Sequence, residues 1–454
     1  MRDRDVIHIR DPIHGTLPVS LREIKVIDHP VFQRLRNIKQ LGFADLSFPG
    51  ATHTRYSHSL GAMHVATRIF DRVFAHTELP ARVHERFRQA VRLAMLFHDV
   101  GHAPLSHTTE MLMPPVGELG LGVFAGTDVS RRATHEDYTL KIVLDSSLSE
   151  LVTRLFDDEG IIPSDIAEII AGSLSAHASG RFRHGGVDYA PVLRQIVSSE
   201  CDADRMDYLQ RDSFFSGVNY GKFDADWLID NVCPVVRDGG CYLAIKSRAI
   251  FSFEDFLLSR YHMFATVYLH HTPVIFEKML ARYFQEAQGE FMLPADVEKY
   301  AQLDDMDLWV TLRRSKNQWA RRIVERRAYM MLDERHVGAP TASGNAELHL
   351  ELADRLSERG VDHIVTRSRS ILSKYFSKAS SSAGHKTPIF VVTGSDETVP
   401  LEEFTPLYAR YETPALLSRV FIEPEKREDA RQVLQSVVQE RRARAEPTVP
   451  LAEA

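Results

Sequence analysis

RFRQAVRLAMLFHDVGHAPLSH, residues 86–107, is the stretch on which the fold turns. Its first part, 86–98, is apolar nearly all round from Leu93 to Phe97, the mark of a helix buried at the centre of a larger body. At the end of that helix His98 and Asp99 stand side by side, Gly101 can break it, and His102 and His107 follow. Burying an adjacent imidazole and carboxylate is costly unless both are ionically satisfied, and a divalent cation satisfies both. Nitrogen plus oxygen donors suit Mn, Fe, Ni, Zn or a Mg-type ion, so the metal's identity stays open.

Working outward, residues 59–76 carry an apolar stripe of Met63, Ala66, Phe70, Val73 and Phe74, with His58 at the start of that helix where an inward ligand sits. The segment 28–41, DHPVFQRLRNIKQL, reads as a helix capped by Asp28 with Pro30 in its first turn, Gln33, Arg36 and Gln40 sharing its polar face. In CDADRMDYLQRD, 201–212, helical spacing puts Asp204, Tyr208, Asp212 and Arg205 within one arc of about 100°. Further helices are expected over 161–177, 189–212, 224–231, 254–288 and 295–335. A linker rich in Gly, Pro, Ser and Asn follows at 336–348, and strands are expected at 363–369, 388–393 and 418–424 before a closing helix at 425–443. The expected architecture is mainly α: a helical core over 1–335, a small C-terminal α+β lobe over 349–445 and a disordered tail at 446–454.

The 454-residue chain is 44% hydrophobic and 26% charged, ordinary for a globular protein. A net charge of −7, with 21 histidines neutral, gives no global basic field for nucleic acid or anionic membrane, so an anionic substrate must be held by local Arg, Lys, His or metal. Three cysteines, Cys201, Cys233 and Cys241, lack the spacing of a disulfide framework or a Cys-based zinc site. MRDRDVIHIRD has no apolar leader core and no run approaches a membrane span, so a cytoplasmic protein is expected.

The set His58, His98-Asp99 and Asp204 resembles the H…HD…D pattern of the HD-domain metal-dependent phosphohydrolases. FQRLRNIKQLG (32–42) and HTRYSHSLG (53–61) bring the likeness closer to the deoxynucleoside triphosphate (dNTP) triphosphohydrolases of that superfamily; it runs through DPIHG (11–15), THE (134–136) and SRYHMFATVYLHH (259–271). The resemblance implies metal ligation by His58, His98, Asp99 and Asp204. It places His102, His107 and His135 around the scissile phosphate, with Glu110 orienting His107. It assigns the phosphate chain to Arg55, Arg205 and Arg260, and the sugar to Gln40, Asp212 and Tyr208 or Tyr268. Asp28, Gln33 and Arg36 match an activator-nucleotide site between subunits, which implies a homo-oligomer, a tetramer in favour, with one helix touching both sites. Departures are Phe264 and Leu269 in place of polar contacts, and Ile7 in place of a lysine at the activator site.

The expected reaction is metal-dependent hydrolysis of a dNTP to deoxynucleoside and inorganic triphosphate. The rival readings are an HD phosphohydrolase for nucleoside monophosphates or cyclic nucleotides, which three arginines exceed, and a nucleotide sensor with vestigial activity, which needs no complete ligand set.

Overall fold

A computed structural model describes residues 6–124, 127–172, 180–337, 343–370, 387–407 and 415–445. Strands β1 (Val6–Asp11) and β2 (Gly15–Ser20) form an antiparallel hairpin. The core helices are α1 (Arg55–Val73), α2 (Ala81–Phe97), α3 (His135–Leu144) and α4 (Ala203–Ser216). Helix α1 lies between α2 and α4, so the face carrying His58 looks at the end of α2 and the inner side of α4. Leu93, Ala94, Met95, Leu96 and Phe97 are all buried, as their unbroken apolar run requires.

Strands β3 (Val232–Arg237) and β4 (Gly240–Lys246) form a second hairpin. Helices α5 (Ile250–Met263), α6 (His271–Glu286) and α7 (Asp305–Arg314) complete the larger body. The C-terminal lobe is a three-stranded antiparallel sheet of β5 (Met330–Val337), β6 (His363–Ser370) and β8 (Ala415–Ile422), with β8 central. Helices α8 (Ser343–Glu358) and α9 (Arg427–Ala445) pack on it through Leu352, Leu356, Val433 and Val437. The short strand β7 (Phe390–Val392) instead pairs in parallel with β4. The fold is mainly α with a small strand-containing lobe, as expected, and among the described residues no helix is long and apolar enough to cross a membrane.

Several local expectations are corrected. Residues 28–41 are not one helix. Asp28 closes a preceding helix, Leu21–Ile27, and His29 caps the short helix Pro30–Gln33, which tightens into a 3₁₀ turn over Arg34–Asn37. Ile38 is extended because the chain there bonds sideways, Gln40 N to His53 O and Arg55 N to Ile38 O, both at 3.0 Å. Gln40 therefore does not share a helix with Gln33 and Arg36. The helix expected over 189–212 breaks at Ser198–Asp202, where the Asp202 carboxylate caps α4 by accepting from Arg205 N. The one over 254–288 is interrupted by a π turn at Phe264–Tyr268, and the one over 295–335 becomes short helices and then β5, so the expected boundary at 335/336 falls inside a strand. Both hairpins were missed in a region read as helical. The tail at 446–454 lies outside the described residues.

Candidate active site

His58, in the first turn of α1, is fully buried. Its Nδ1 lies 2.7 Å from Asp207 Oδ2, and a carboxylate only accepts, so the ring proton sits on Nδ1 and the Nε2 lone pair faces inward. His98 is fixed the same way: Nδ1 donates to Met95 O at 2.7 Å, leaving its Nε2 open. These two bare nitrogens stand 3.2 Å apart, and Asp204 Oδ1 lies 3.0 Å from the first and 3.4 Å from the second. Donors about 2.1 Å from one ion are separated by about 3.0–3.4 Å, so the spacing fits a shared cation. His58, His98 and Asp204 are thus a set of groups that could hold a divalent metal.

Asp99 stands at the edge of that set. Its Oδ1 is 3.4 Å from His98 Nε2 and 3.3 Å from His102 Nε2, and its Oδ2 accepts from Arg55 Nη1 at 2.5 Å. Against the cost of burial, the Arg55 guanidinium above all, with the neighbouring His98 and His102 imidazoles, holds its carboxyl well below the usual range. Burial and the Arg55 charge push the His102 imidazole well down, and its buried Nδ1 has no partner among the described residues.

A second cluster adjoins the first. The rings of His102 and His135 stack at 3.9 Å, and His107 stands edge-on to both. Glu110 Oε1 accepts from His107 Nδ1 at 3.0 Å and from His135 Nδ1 at 2.5 Å. Glu110 therefore serves two histidines rather than His107 alone. Despite burial, those two hydrogen bonds bring its carboxyl down to about 2. His107 is mostly exposed and His135 mostly covered. His135 begins α3, and Gly101 lets that helix approach: a Cβ there would lie 2.2 Å from His135 O and Thr139 N.

Asp212 joins His53 (Nε2 to Oδ1, 2.8 Å) and Tyr268 (OH to Oδ2, 2.6 Å). Tyr208 meets Tyr268 edge-on, and the π turn after α5 presents Tyr268 there. Burial pushes the Tyr208 hydroxyl up to about 12 and Tyr268 well up, so both stay protonated donors. Arg260 is buried over Phe264, Arg205 lies beside Glu200 and Asp202, and the buried Oε1 of Gln40 has no partner among the described residues. Asp28, Gln33 and Arg36 lie apart from this pocket: Gln33 donates to Ile27 O, and Arg36 donates to Gln33 Oε1 and covers the Tyr56 ring at 3.6 Å.

Sequence reasoning missed Asp207, His14 and Arg211. Asp207 also accepts from His14 Nε2 (2.7 Å) and from the Arg211 fork (2.8 Å twice), and Arg211 reaches Asp11. Asp207 lies about 60° to the other side of Asp204 on the helix wheel, outside the arc taken as the working face. The i, i+4 Asp–Arg pair and the His of DPIHG were the available signals.

Residues 55–212 match the HD domain and 223–361 the HD associated region. The chain is 31% identical over 304 residues to the Dictyostelium discoideum deoxynucleoside triphosphate triphosphohydrolase SAMHD1 homolog, covering 67% of this chain and 52% of that protein. It is 28% identical over 319 residues to human deoxynucleoside triphosphate triphosphohydrolase SAMHD1, covering 67% and 49%. The chain spans about half to three-fifths of the length of the curated relatives it matches. A hypothetical protein from Aquifex aeolicus superposes with TM-score 0.72 at 26% identity, covering 94% of this chain and all of that one. With an HD domain over 55–212 whose imidazole and carboxylate groups could hold a divalent metal, the chain belongs to the HD-domain family of metal-dependent phosphohydrolases.

Proposed function

We propose that the protein hydrolyses dNTPs to deoxynucleoside and inorganic triphosphate in the cytoplasm, as a nucleotide-responsive homo-oligomer, tetrameric by preference. The observation that carries the substrate class is the company the donor set keeps: Arg55, Arg205 and Arg260 exceed what a single phosphate needs, and Asp212 with Tyr208 and Tyr268 suits a sugar. His58, His98, Asp204 and Asp99 would hold the divalent cation, of open identity. When bound, such a cation polarises a phosphoryl oxygen and makes hydroxide available near neutral pH.

The chain's own residues divide the remaining work. The arginines neutralise and align the phosphate chain, which is most of what phosphoryl transfer asks of a protein. His102, whose buried Nδ1 has no partner among the described residues, and His135 stacked on it flank the α-phosphate. His107 gives the proton to the departing 5′-oxygen: Glu110 occupies its Nδ1, its Nε2 is left for the substrate, and its exposure leaves room for the leaving nucleoside. Asp212 accepts the 3′-hydroxyl, Gln40 offers Oε1 to the sugar, and Tyr208 and Tyr268 crowd a 2′-hydroxyl. Asp28, Gln33 and Arg36 would receive the activating nucleotide.

The test is incubation with each dNTP and NTP under Mg, Mn, Fe, Ni or Zn, followed by product analysis. Triphosphate and deoxynucleoside are the expected products. Orthophosphate, or turnover of monophosphates or cyclic nucleotides alone, would replace this reading with the nearest rival.

A further inference from the structure

Between His102 and His107 the chain does something expensive. Leu105 and Ser106, consecutive and neither of them glycine, both hold left-handed backbone, with φ of 53° and 57°. Such residues persist only where their surroundings over-determine them. Here much of that constraint comes from Tyr300–Asp305, far along the chain in the HD associated region. Tyr300 OH donates to Gly101 O at 2.6 Å. Arg34 lies over the Tyr300 ring and donates to Leu303 O, Val100 O and His102 O.

Asp305 makes the closing contacts. Its buried carboxylate accepts from Leu105 N through Oδ1 at 2.7 Å and from Lys39 N through Oδ2 at 3.0 Å. One side chain thus ties the histidine-bearing loop to the extended segment that carries Gln40. The tie continues into the site: Ser106 Oγ donates to Lys39 O at 2.9 Å and accepts from Arg55 Nε at 2.8 Å, and Arg55 Nη1 reaches Asp99.

We propose that Asp305 is a positioning residue for the phosphohydrolase site. By fixing Leu105 and Lys39 at once it sets the offset between His102 and His107 and the seat of the Arg55 guanidinium, without touching substrate. The proposal rests on the reading of these residues as catalytic machinery. An asparagine has the same shape but one acceptor oxygen, so either Leu105 N or Lys39 N loses its partner.

The experiment compares Asp305→Asn with Asp307→Asn in the full chain. Asp307 closes the capping box of the same helix by accepting from Asp304 N. Asp305→Asn is expected to lower kcat about 10- to 100-fold with bound metal unchanged, because a misplacement of about 1 Å costs that much. Hydrogen exchange should rise across 99–107 and stay unchanged in α4. Asp307→Asn should lower the thermal midpoint and leave kcat and loop exchange as in wild type. Wild-type kcat and loop exchange in Asp305→Asn would overturn the proposal, and so would equal effects of the two variants. A wild-type chain that turns over no dNTP would count against the proposed function; loop exchange would then decide the role of Asp305 by itself.

Discussion

Asp207 shows what one residue does when it never meets substrate. Its carboxylate holds a proton of His58 on Nδ1 and is itself held by Arg211 and His14, which turns Nε2 inward toward His98 and Asp204, where a metal could be held. Asp207→Asn keeps the shape and removes the charge. It is expected to weaken metal binding about 10- to 100-fold, read by metal titration of the purified variant. His107 makes the contrasting case, since it sits outside the His58, His98, Asp204 set. His107→Ala should lower kcat by about 10²–10⁴ with metal content unchanged; loss of metal would make it a ligand and reverse the division of roles. Gly61 belongs to the same account: a Cβ there would lie 2.1 Å from both Asp207 Oδ1 and Arg211 Nη2, so α1 and α4 close over their ion pair only because that position is bare.

At the scale of elements, legibility followed chemistry that is local in sequence. The long apolar stripe of α1 and the all-round apolar end of α2 specify their helices through their own periodicity, and β8 likewise reads as a strand. The β3–β4 hairpin was legible too, through Asp238-Gly239 between two β-rich runs, and the structure gives that pair φ of 50° and 77°. It was lost to the helical texture around it. The segment 38–41 was not legible, because a helical pattern there yields to pairing with 53–55, a partner the local pattern does not reveal. Helix α6 carries a pH-dependent element: burial pushes Glu277 up from 4.5 to about 7. A raised carboxyl favours the protonated fold, so its contribution is complete below about pH 4.5 and is lost as pH rises through 7. Glu277→Gln should match wild type in unfolding free energy near the low end and exceed it by about 1–3 kcal/mol at pH 8, after discounting for partial exposure. Denaturant melts at the two pH values check this; an equal difference at both would contradict it.

For the whole molecule, the residues that could hold a metal stand in the H…HD…D pattern, while the supports from Asp207, Tyr300 and Asp305 depend on tertiary contacts across up to 266 residues. The proposed regulation changes route for the same reason. Gln40 is not on a helix with Arg36, so coupling through one helix fails; Arg36 instead covers Tyr56, the neighbour of Arg55 on α1. Arg36→Ala is therefore expected to abolish stimulation by a second nucleotide while basal turnover and metal content persist. Light scattering with and without nucleotide reads the assembly, and a monomer whose rate is hyperbolic in substrate and indifferent to added nucleotides would end the regulatory reading. The central claim remains the site of bond cleavage. Turnover of a dNTP by the metal-loaded protein in ¹⁸O-water tests it most directly: attack at the α-phosphorus with the 5′-oxygen leaving puts the label in inorganic triphosphate and none in the deoxynucleoside, whereas label in orthophosphate or in the nucleoside 5′-hydroxyl would contradict the account.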